Sequence, residues 1–218
     1  MLIAGIDEAG RGPAVGPLVL AVAVIEKRDE DELLKIGVKD SKQLSEKQRN
    51  AQFGKIKGAL SEFATIHILP EEIDSLRDRK SLNEIEAMKI GALLNGLKKR
   101  PSVLYVDAPD VIEENFAERI RKYVSYEIAI KSEHKADVNY PIVSAASIIA
   151  KVERDAEIAK LSKEHGEMGS GYPHDERTIK FLEKWLEKNK ALPKFARASW
   201  DTSKTLIDRR MQRKLPEF

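Results

Sequence analysis

The feature that most constrains the fold is a short apolar run near the N-terminus that ends in two adjacent carboxylates. Residues 2–6 are apolar and bounded by turn residues, a pattern typical of a buried strand. Asp7 and Glu8 then lie at the carboxyl end of this strand, where α/β sheets bind their ligands. Because neighbouring carboxylates repel each other, a divalent metal ion is their simplest compensation. The alternative is an acidic turn exposed to water.

The loop that follows favours the metal site. Gly10 and Gly12 allow the backbone to approach a ligand closely, and Arg11 between them can pair with a phosphate. A metal-binding pair next to a loop that can hold a phosphate indicates chemistry on a phosphodiester.

Length and composition exclude several classes of protein. The 218 residues, 42% of them hydrophobic, suffice for one large domain or for a core with a small appendage. The chain has no cysteine, which excludes disulfides, thiolate catalysis and cysteine zinc sites. No run has the length of a membrane span and no signal peptide is visible. We therefore expect a cytoplasmic monomer without membrane contacts.

The charge is unevenly distributed. Residues 177–218 contain twelve lysines and arginines against five acidic residues, a net charge of +7. The whole chain carries +2, so the remainder carries −5. This pattern suits a protein that holds a polyanion at one end and metal ions at the other, although a solvated basic surface is the alternative.

The order of predicted elements indicates an α/β core followed by a helical part. Strand 18–25 is expected to form a hairpin with the first strand. Capping boxes at Ser45 with Gln48 and at Ser81 with Glu84 predict two helix starts. The further predicted strands are 63–69, 103–107 and 126–130, and the predicted helices are 29–34, 46–59, 71–77, 82–97, 109–123, 142–165, 175–189 and 202–210.

Two more carboxylates complete a candidate metal site. Asp107 ends an apolar strand as Asp7 does, so parallel neighbouring strands would bring both to one edge of the sheet. Asp137 precedes the long helix, where a helix-start charge is the alternative role. Four carboxylates around two Mg²⁺ or Mn²⁺ ions predict a phosphodiester hydrolase, in which one metal activates water and the other stabilises the leaving oxygen.

Other polar residues are candidates for substrate contacts. Tyr172 lies between glycines and a proline and could stack on a sugar or base, with a buried tyrosine as the alternative. Lys42 and Lys151 are candidate phosphate contacts, although most surface lysines are only solvated. His134, three residues before Asp137, could assist proton transfer or lie at the edge of the site. The other histidines are interpreted as structural or have no assigned role.

Seven motifs, in order along the chain, together resemble the ribonuclease HII (type 2 ribonuclease H) family, most closely its archaeal members. They are Gly5-Ile6-Asp7-Glu8-Ala9-Gly10-Arg11-Gly12-Pro13, Asp40-Ser41-Lys42-Gln43-Leu44-Ser45, Leu82-Asn83-Glu84-Ile85, Tyr105-Val106-Asp107, His134-Lys135-Ala136-Asp137, the stretch 144–155, and Gly169-Ser170-Gly171-Tyr172-Pro173. No catalytic position departs from the pattern of the family.

The resemblance implies a ribonuclease H-like fold, a five-stranded mixed sheet flanked by helices. Residues 1–168 would form the catalytic domain, residues 169–210 a helical part that completes the substrate cleft, and residues 211–218 a tail. The implied activity is hydrolysis of the RNA strand of RNA–DNA hybrids. It includes cleavage on the 5′ side of single ribonucleotides embedded in duplex DNA, leaving a 3′-hydroxyl.

The same resemblance implies a role for each candidate residue. Gly10-Arg11-Gly12 would grip the 2′-hydroxyl of the ribonucleotide and a neighbouring phosphate, and Tyr172 would stack on the following deoxyribose. A 2′-hydroxyl distinguishes RNA from DNA locally, which agrees with the interpretation of the glycine loop. The catalytic, metal-binding set would be Asp7, Glu8, Asp107 and Asp137.

The C-terminus resembles the peptide with which replication proteins bind the sliding clamp. Gln212, Leu215 and Phe218 follow one another at spacings of three. A second terminal aromatic residue is absent, and a frayed polar tail is the alternative.

Two other functions remain open at this point. Another nuclease of the same fold, such as a junction resolvase or the type 3 ribonuclease H, is disfavoured by Gly10-Arg11-Gly12 together with Tyr172. A non-catalytic hybrid-binding module is expected to lack at least one of the metal carboxylates, and all four are present.

Overall fold

A computed structural model describes residues 1–38 and 44–212 and contains five strands and nine α-helices in that part of the chain. The strands are β1 (Leu2–Ala9), β2 (Leu18–Glu26), β3 (Glu62–Ile68), β4 (Val103–Asp107) and β5 (Ala129–Glu133). The helices are α1 (Glu30–Ile36), α2 (Glu46–Ala59), α3 (Pro70–Arg77), α4 (Leu82–Gly96), α5 (Glu113–Arg121), α6 (Ala136–Asn139), α7 (Pro141–His165), α8 (Glu176–Asn189) and α9 (Asp201–Gln212).

The strands form one mixed sheet in the order β3-β2-β1-β4-β5. Strands β1 and β2 are antiparallel, which confirms the predicted hairpin. Strands β1 and β4 are parallel, with Ile6 opposite Val106, and β4 is parallel to β5. The α/β class and the mixed five-stranded sheet expected from the family resemblance are thus confirmed for the described residues.

The central strands of the sheet are apolar on both faces, so both faces have to be covered by helices. Every residue of β2 except its last is buried. On one face, Gly5 leaves room for the start of α7, since a Cβ atom there would lie 2.5 Å from the carbonyl carbon of Ile142. The missing side chain lets helix and sheet approach closely, which places α7 over β1.

Packing divides the chain into two compact units, each assembled from separate segments. Of the described residues, the first unit contains 1–9, 19–38, 44–67 and 81–153, and therefore the sheet. The second contains residues 10–18, 68–80 and 154–212, with a core formed by residues such as Val15, Met168, Leu182 and Leu206. The predicted functional boundaries at residues 168 and 210 stay a prediction, because a division by packing does not test a division by function.

Two predicted elements have wrong boundaries. Helix α5 begins at Glu113 rather than at residue 109, because Asp110 is held in the preceding loop by Asn83 and Arg119. Strand β5 covers Ala129–Glu133 rather than 126–130, because pairing with β4 sets its register. Tyr126 instead packs against Arg100, whose guanidinium carbon lies 5.1 Å from the centroid of the Tyr126 ring.

The predicted capping boxes differ in outcome. At the start of α2, Ser45 and Gln48 form the complete reciprocal pair. At the start of α4, the Ser81 hydroxyl accepts the N–H of Glu84, but the Glu84 carboxylate does not return to Ser81. It binds Arg119 at 2.8 Å and the Tyr123 hydroxyl at 2.6 Å instead. Because the Glu84 carboxylate binds Arg119 and Tyr123, the predicted reciprocal bond from Glu84 to Ser81 is not formed, and that part of the capping-box prediction is wrong.

Candidate active site

The first group of candidate residues, which we call the carboxylate cluster, consists of Asp7, Glu8, Asp107 and Asp137 in the unit that contains the sheet. Asp7 and Asp107 each follow the last paired residues of two adjacent parallel strands, Ile6 and Val106. Paired residues of parallel strands point to the same face. The two carboxylates therefore lie at the same end and on the same face, as the sequence predicts.

Asp137 reaches this region through a strained turn. Lys135 adopts a left-handed backbone with φ of 59°, which is uncommon for a residue other than glycine. The turn places Asp137 in α6, where it is 3% exposed. Asp107 accepts a hydrogen bond from the N–H of Ala136 at 3.1 Å. One candidate carboxylate thereby anchors the turn that carries another.

Asp7 has unfavourable electrostatics as a charged group. Burial raises the pKa of its carboxyl well above the usual range, and repulsion by Glu8 raises it further. A hydrogen bond from the Ser147 hydroxyl, the N–H of Glu8 at 2.8 Å and the charge of Lys151 oppose this shift. A perturbed buried carboxylate beside a second one marks a place where a bound cation would bring the largest relief.

Helix α7 supplies polar partners for Asp7. Ser147 and Lys151 are four residues apart on one face of the helix, and the Lys151 ammonium donates to the Ser147 hydroxyl at 2.8 Å. Lys151 thus lies close enough to the carboxylate cluster to affect it. Its predicted contact with a substrate phosphate stays a prediction.

The carboxylate cluster is not a formed metal cage. Across residues 1–38 and 44–212, no three His, Asp or Glu side chains stand in positions that could hold a metal ion. The chemistry of the cluster nevertheless fits one, because its donors are all carboxylate oxygens, as hard Mg²⁺ and Mn²⁺ prefer. The raised pKa of Asp7 also favours a cation there. The assignment of the four residues as ligands stays a prediction.

His134 holds the segment that follows β4. Its Nδ1 lies 3.1 Å from the carbonyl oxygen of Ala108, and its backbone N–H donates to Glu113 at 2.7 Å. The imidazole is exposed. These contacts give His134 a structural role, and its predicted part in proton transfer is untested.

Three predicted residues fall outside the part of the chain that the structure describes. They are Lys42, Leu215 and Phe218. Gln212 is the last residue of α9 and is exposed.

The second group, which we call the glycine-loop cluster, belongs to the other unit and consists of residues 10–17 and 169–173. Gly10 has φ of 87°, and a Cβ atom there would lie 2.7 Å from the carbonyl oxygen of Pro17. Only glycine fits such a position without strain. A Cβ atom on Gly12 would lie 3.8 Å from the Tyr172 ring, so the loop and Tyr172 lie together.

Backbone hydrogen bonds join the two segments of this cluster. The N–H groups of Ala14 and Val15 both donate to the carbonyl oxygen of Gly171, at 2.9 and 3.3 Å. Gly171 itself has φ of 82°, and a Cβ atom there would lie 2.8 Å from the Val15 carbonyl oxygen. The close approach depends on glycine, which explains why Tyr172 is preceded by one.

Tyr172 rests on a buried arginine that the sequence analysis did not single out. The guanidinium carbon of Arg154 lies 4.9 Å from the Tyr172 ring centroid, and Nη2 donates to the Ser170 carbonyl at 2.7 Å. Burial lowers the pKa of Arg154. The ring centroid of His174 lies 5.4 Å from that of Tyr172. Tyr172 is therefore half-buried and held by neighbours rather than freely mobile in a glycine-rich loop.

Arg197 is the second residue that sequence analysis missed. It is 0% exposed and donates to backbone carbonyls of residues 10–16. Its local sequence carries no signal of burial, and the basic composition of residues 177–218 favoured a surface interpretation.

A mixed sheet in this strand order, with acidic residues at the ends of its central parallel strands, defines the class of ribonuclease H-like enzymes. The comparisons with known proteins identify the family within that class. The model of the ribonuclease HII family matches residues 4–203. The ribonuclease HII of Pyrococcus abyssi is 48% identical over 209 residues, covering 96% of this chain and 92% of that protein.

Solved structures agree. The ribonuclease H2 of Pyrococcus horikoshii OT3 superimposes with a TM-score of 0.92 at 46% identity, covering 99% of this chain and 100% of that one. The structure of a PCNA:RNase HII complex from Archaeoglobus fulgidus matches with a TM-score of 0.83 at 39% identity, covering 92% of this chain and 96% of that one.

The chain belongs to the ribonuclease HII family, and it is a ribonuclease H of archaeal type. Enzymes of this family depend on divalent metal ions and act on nucleic-acid hybrids. No helix in the described part of the chain is long and apolar enough to cross a membrane.

Proposed function

We propose that this ribonuclease H hydrolyses the RNA strand of RNA–DNA hybrids and also cuts on the 5′ side of single ribonucleotides embedded in duplex DNA, leaving a 3′-hydroxyl. The observation that carries the proposal is the proximity of Gly12 to the Tyr172 ring, which would lie 3.8 Å from a Cβ atom at Gly12. The glycine backbone can be approached closely by a ligand, and an aromatic ring lies beside it. Together they suit recognition of a sugar with a 2′-hydroxyl and of the nucleotide that follows it.

The carboxylate cluster is the proposed chemical centre. Asp7, Glu8, Asp107 and Asp137 would hold two Mg²⁺ or Mn²⁺ ions, which when bound would activate water and stabilise the leaving oxygen. Support comes from the all-oxygen donor set, the shared strand ends and the raised pKa of Asp7. Hydrogen bonds within the protein position these carboxylates: Asp107 fixes the turn that carries Asp137, and Ser147 orients the Asp7 carboxylate.

The glycine-loop cluster is the proposed reader of the substrate. Backbone groups of Gly10-Arg11-Gly12 would contact the 2′-hydroxyl, and the Arg11 guanidinium would pair with a phosphate. The Tyr172 ring, supported by Arg154, would stack on the deoxyribose after the ribonucleotide. Lys42 and Lys151 are proposed to add phosphate contacts.

A partner is proposed for the C-terminus. Gln212, Leu215 and Phe218 would bind the sliding clamp, and the solved complex of an Archaeoglobus fulgidus relative with PCNA supports this. Deleting residues 213–218 is expected to abolish co-elution with the clamp and to leave cleavage of free duplex unchanged.

The proposed function is tested with three labelled duplexes. One carries a single ribonucleotide in DNA, one is a long RNA–DNA hybrid, and an all-DNA duplex is the control. With Mg²⁺, the protein is expected to cut the first on the 5′ side of the ribonucleotide, to cut the second at many positions, and to spare the third. A chelator should abolish all cleavage. Cleavage of the hybrid alone would contradict the roles proposed for Arg11 and Tyr172.

A further inference from the structure

Arg197 lies buried beneath the glycine loop and binds its backbone. The guanidinium donates through Nη2 to the Gly10 carbonyl oxygen at 2.5 Å and through Nη1 to that of Arg11 at 3.0 Å. Nε and Nη2 also donate to the Gly16 carbonyl oxygen at 3.2 and 3.1 Å. One side chain thereby fixes both ends of the loop.

These bonds also determine where the N–H groups of the loop point. The C=O and N–H of a trans peptide point in opposite directions, and the described residues contain no cis peptide. When the carbonyls of Gly10 and Arg11 point toward Arg197, the N–H groups of Arg11 and Gly12 point away from it. Two successive N–H groups aimed in one general direction form a binding site for an anion or a hydroxyl oxygen.

We propose that Arg197 is a positioning residue that presents the N–H groups of Arg11 and Gly12 to the sugar-phosphate backbone of the substrate. This inference rests on the proposed function, since it takes a nucleic-acid strand as the ligand. Arg197 does not touch the substrate. It acts through two peptide groups, which its positive charge polarises so that their N–H groups donate more strongly.

Arginine is suited to this task and lysine is not. The planar guanidinium has five donors in a fixed fork, whereas an ammonium has three on a flexible stem and cannot span the same carbonyls. The guanidinium is also 0% exposed, so bulk solvent does not reach it.

The turn around Arg197 is itself rigidly held. The Asp74 carboxylate accepts the N–H of Ala198 at 2.7 Å and that of Ser199 at 3.0 Å. The backbone N–H of Arg197 donates to the Ala14 carbonyl at 2.8 Å, and the guanidinium lies 4.8 Å from the Trp200 ring centroid. The side chain therefore has a single well-supported position, as a residue that orients others requires.

The test compares Arg197→Lys with Arg210→Lys. Arg210 belongs to the same unit and also donates to a backbone carbonyl, that of Lys190 at 2.9 Å, but it lies outside both clusters. We would measure kcat and KM on the single-ribonucleotide duplex and on the long hybrid, together with thermal melting. With glycine ¹⁵N labelling, we would follow the Gly12 amide while the uncleaved duplex is added in chelator.

Arg197→Lys is expected to lower kcat/KM on the single-ribonucleotide duplex by about 10- to 100-fold, because a small misplacement of a positioning group has effects of this size. The Gly12 amide should also shift less than in the wild type when duplex is added. Arg210→Lys should leave both readouts unchanged. The proposal is overturned if Arg197→Lys only lowers the melting temperature and keeps the wild-type amide response and substrate preference.

A second variant covers failure of Arg197→Lys to fold. Trp200→Leu removes the ring beside the guanidinium but leaves its hydrogen bonds, so it should weaken the Gly12 response in the same direction and to a smaller extent. An unchanged response would count against the proposal. Failure of the proposed function is distinguishable, because the wild type would then cut none of the duplexes, whereas the amide experiment needs no cleavage.

Discussion

The carboxylate cluster and the glycine-loop cluster are built in opposite ways. In the carboxylate cluster, regular strands bring like charges together, and the Asp7 carboxylate is buried against the repulsion of Glu8. In the glycine-loop cluster, irregular backbone is held by buried arginines, with Arg154 under Tyr172 and Arg197 on the loop carbonyls. In the first region, regular strands hold negatively charged side chains. In the second, positively charged side chains hold an irregular backbone.

The difference shows where each region obtains its precision. Strand register places the backbone of Asp7 and Asp107, and the Ser147 hydroxyl orients the Asp7 carboxylate. The glycine loop is not part of a regular strand, and it is held by backbone hydrogen bonds to Gly171 together with the Arg197 guanidinium. Changes to the first region should therefore affect chemistry more than folding, and changes to the second should affect folding and substrate choice together.

The largest expected effect is that of Asp7→Asn. Cleavage should fall by at least about a thousandfold, since a bound metal supplies several kcal/mol of transition-state stabilisation. Binding of the uncleaved hybrid should change little. In chelator, the variant should be more resistant to urea than the wild type, because a buried charge and its repulsion by Glu8 are removed. Lower resistance would show that Asp7 is stabilising as a charge.

Tyr172→Ala should reduce cleavage at single ribonucleotides by about 10- to 100-fold, the range expected for loss of one aromatic stack. Tyr172→Phe, which keeps the ring over Arg154, is the matched control and should retain most of the activity. Kinetics on the single-ribonucleotide duplex and on the long hybrid decide the outcome. An equal loss on both substrates would make the role of Tyr172 general rather than specific for the RNA-to-DNA junction.

Gly10→Ala should lower the free energy of unfolding by about 1–3 kcal/mol, because alanine is strained at φ of 87°. Its Cβ would also meet the Pro17 carbonyl oxygen at 2.7 Å. Gly58→Ala is the control, since nothing lies within 4 Å of a Cβ atom there and α2 is helical. That change should stabilise by about 0.5–1 kcal/mol. Urea unfolding measures both.

The smallest expected effect concerns Asp175, which accepts the N–H of Ser170 at 2.8 Å. Its bond from Arg177 lowers the pKa of the carboxyl, so its charged form stabilises the fold. That contribution is present above the unfolded pKa of about 4 and is lost as the pH falls toward the folded pKa. Asp175→Asn should therefore lower the melting temperature at pH 7 and progressively less at acid pH.

The control for this prediction is Glu176→Gln, which removes a charge one residue further along the same helix end. It should give a smaller effect at pH 7. If the difference between wild type and Asp175→Asn were constant with pH, the carboxylate would not be stabilising as a charge.

Local patterns predicted most of the strands and helices and part of the site, whereas the five-stranded mixed sheet was implied by the family resemblance. Apolar runs that end in Asp7 and Asp107 indicated two strands and their common edge, and Ser45 with Gln48 indicated the start of α2. Strand β5 was misplaced because its register depends on pairing with β4, which no local pattern encodes.

The arginines beneath the glycine loop could not be predicted in the same way. Arg197 and the Arg11 carbonyl are 186 residues apart in the chain. Composition places Arg197 in a basic segment, where solvation is the ordinary expectation. Only the folded backbone shows that the guanidinium lies inside the protein on three carbonyl groups.

The most direct test of the account is to locate metal ions at the carboxylate cluster. Crystals of the protein with a duplex carrying one ribonucleotide, grown with Mn²⁺, would be measured at a wavelength where manganese scatters anomalously. The account predicts anomalous peaks in direct contact with the carboxylate oxygens of Asp7, Glu8, Asp107 and Asp137, and their loss in Asp7→Asn crystals. Peaks elsewhere, with these carboxylates bound only to protein groups, would contradict it.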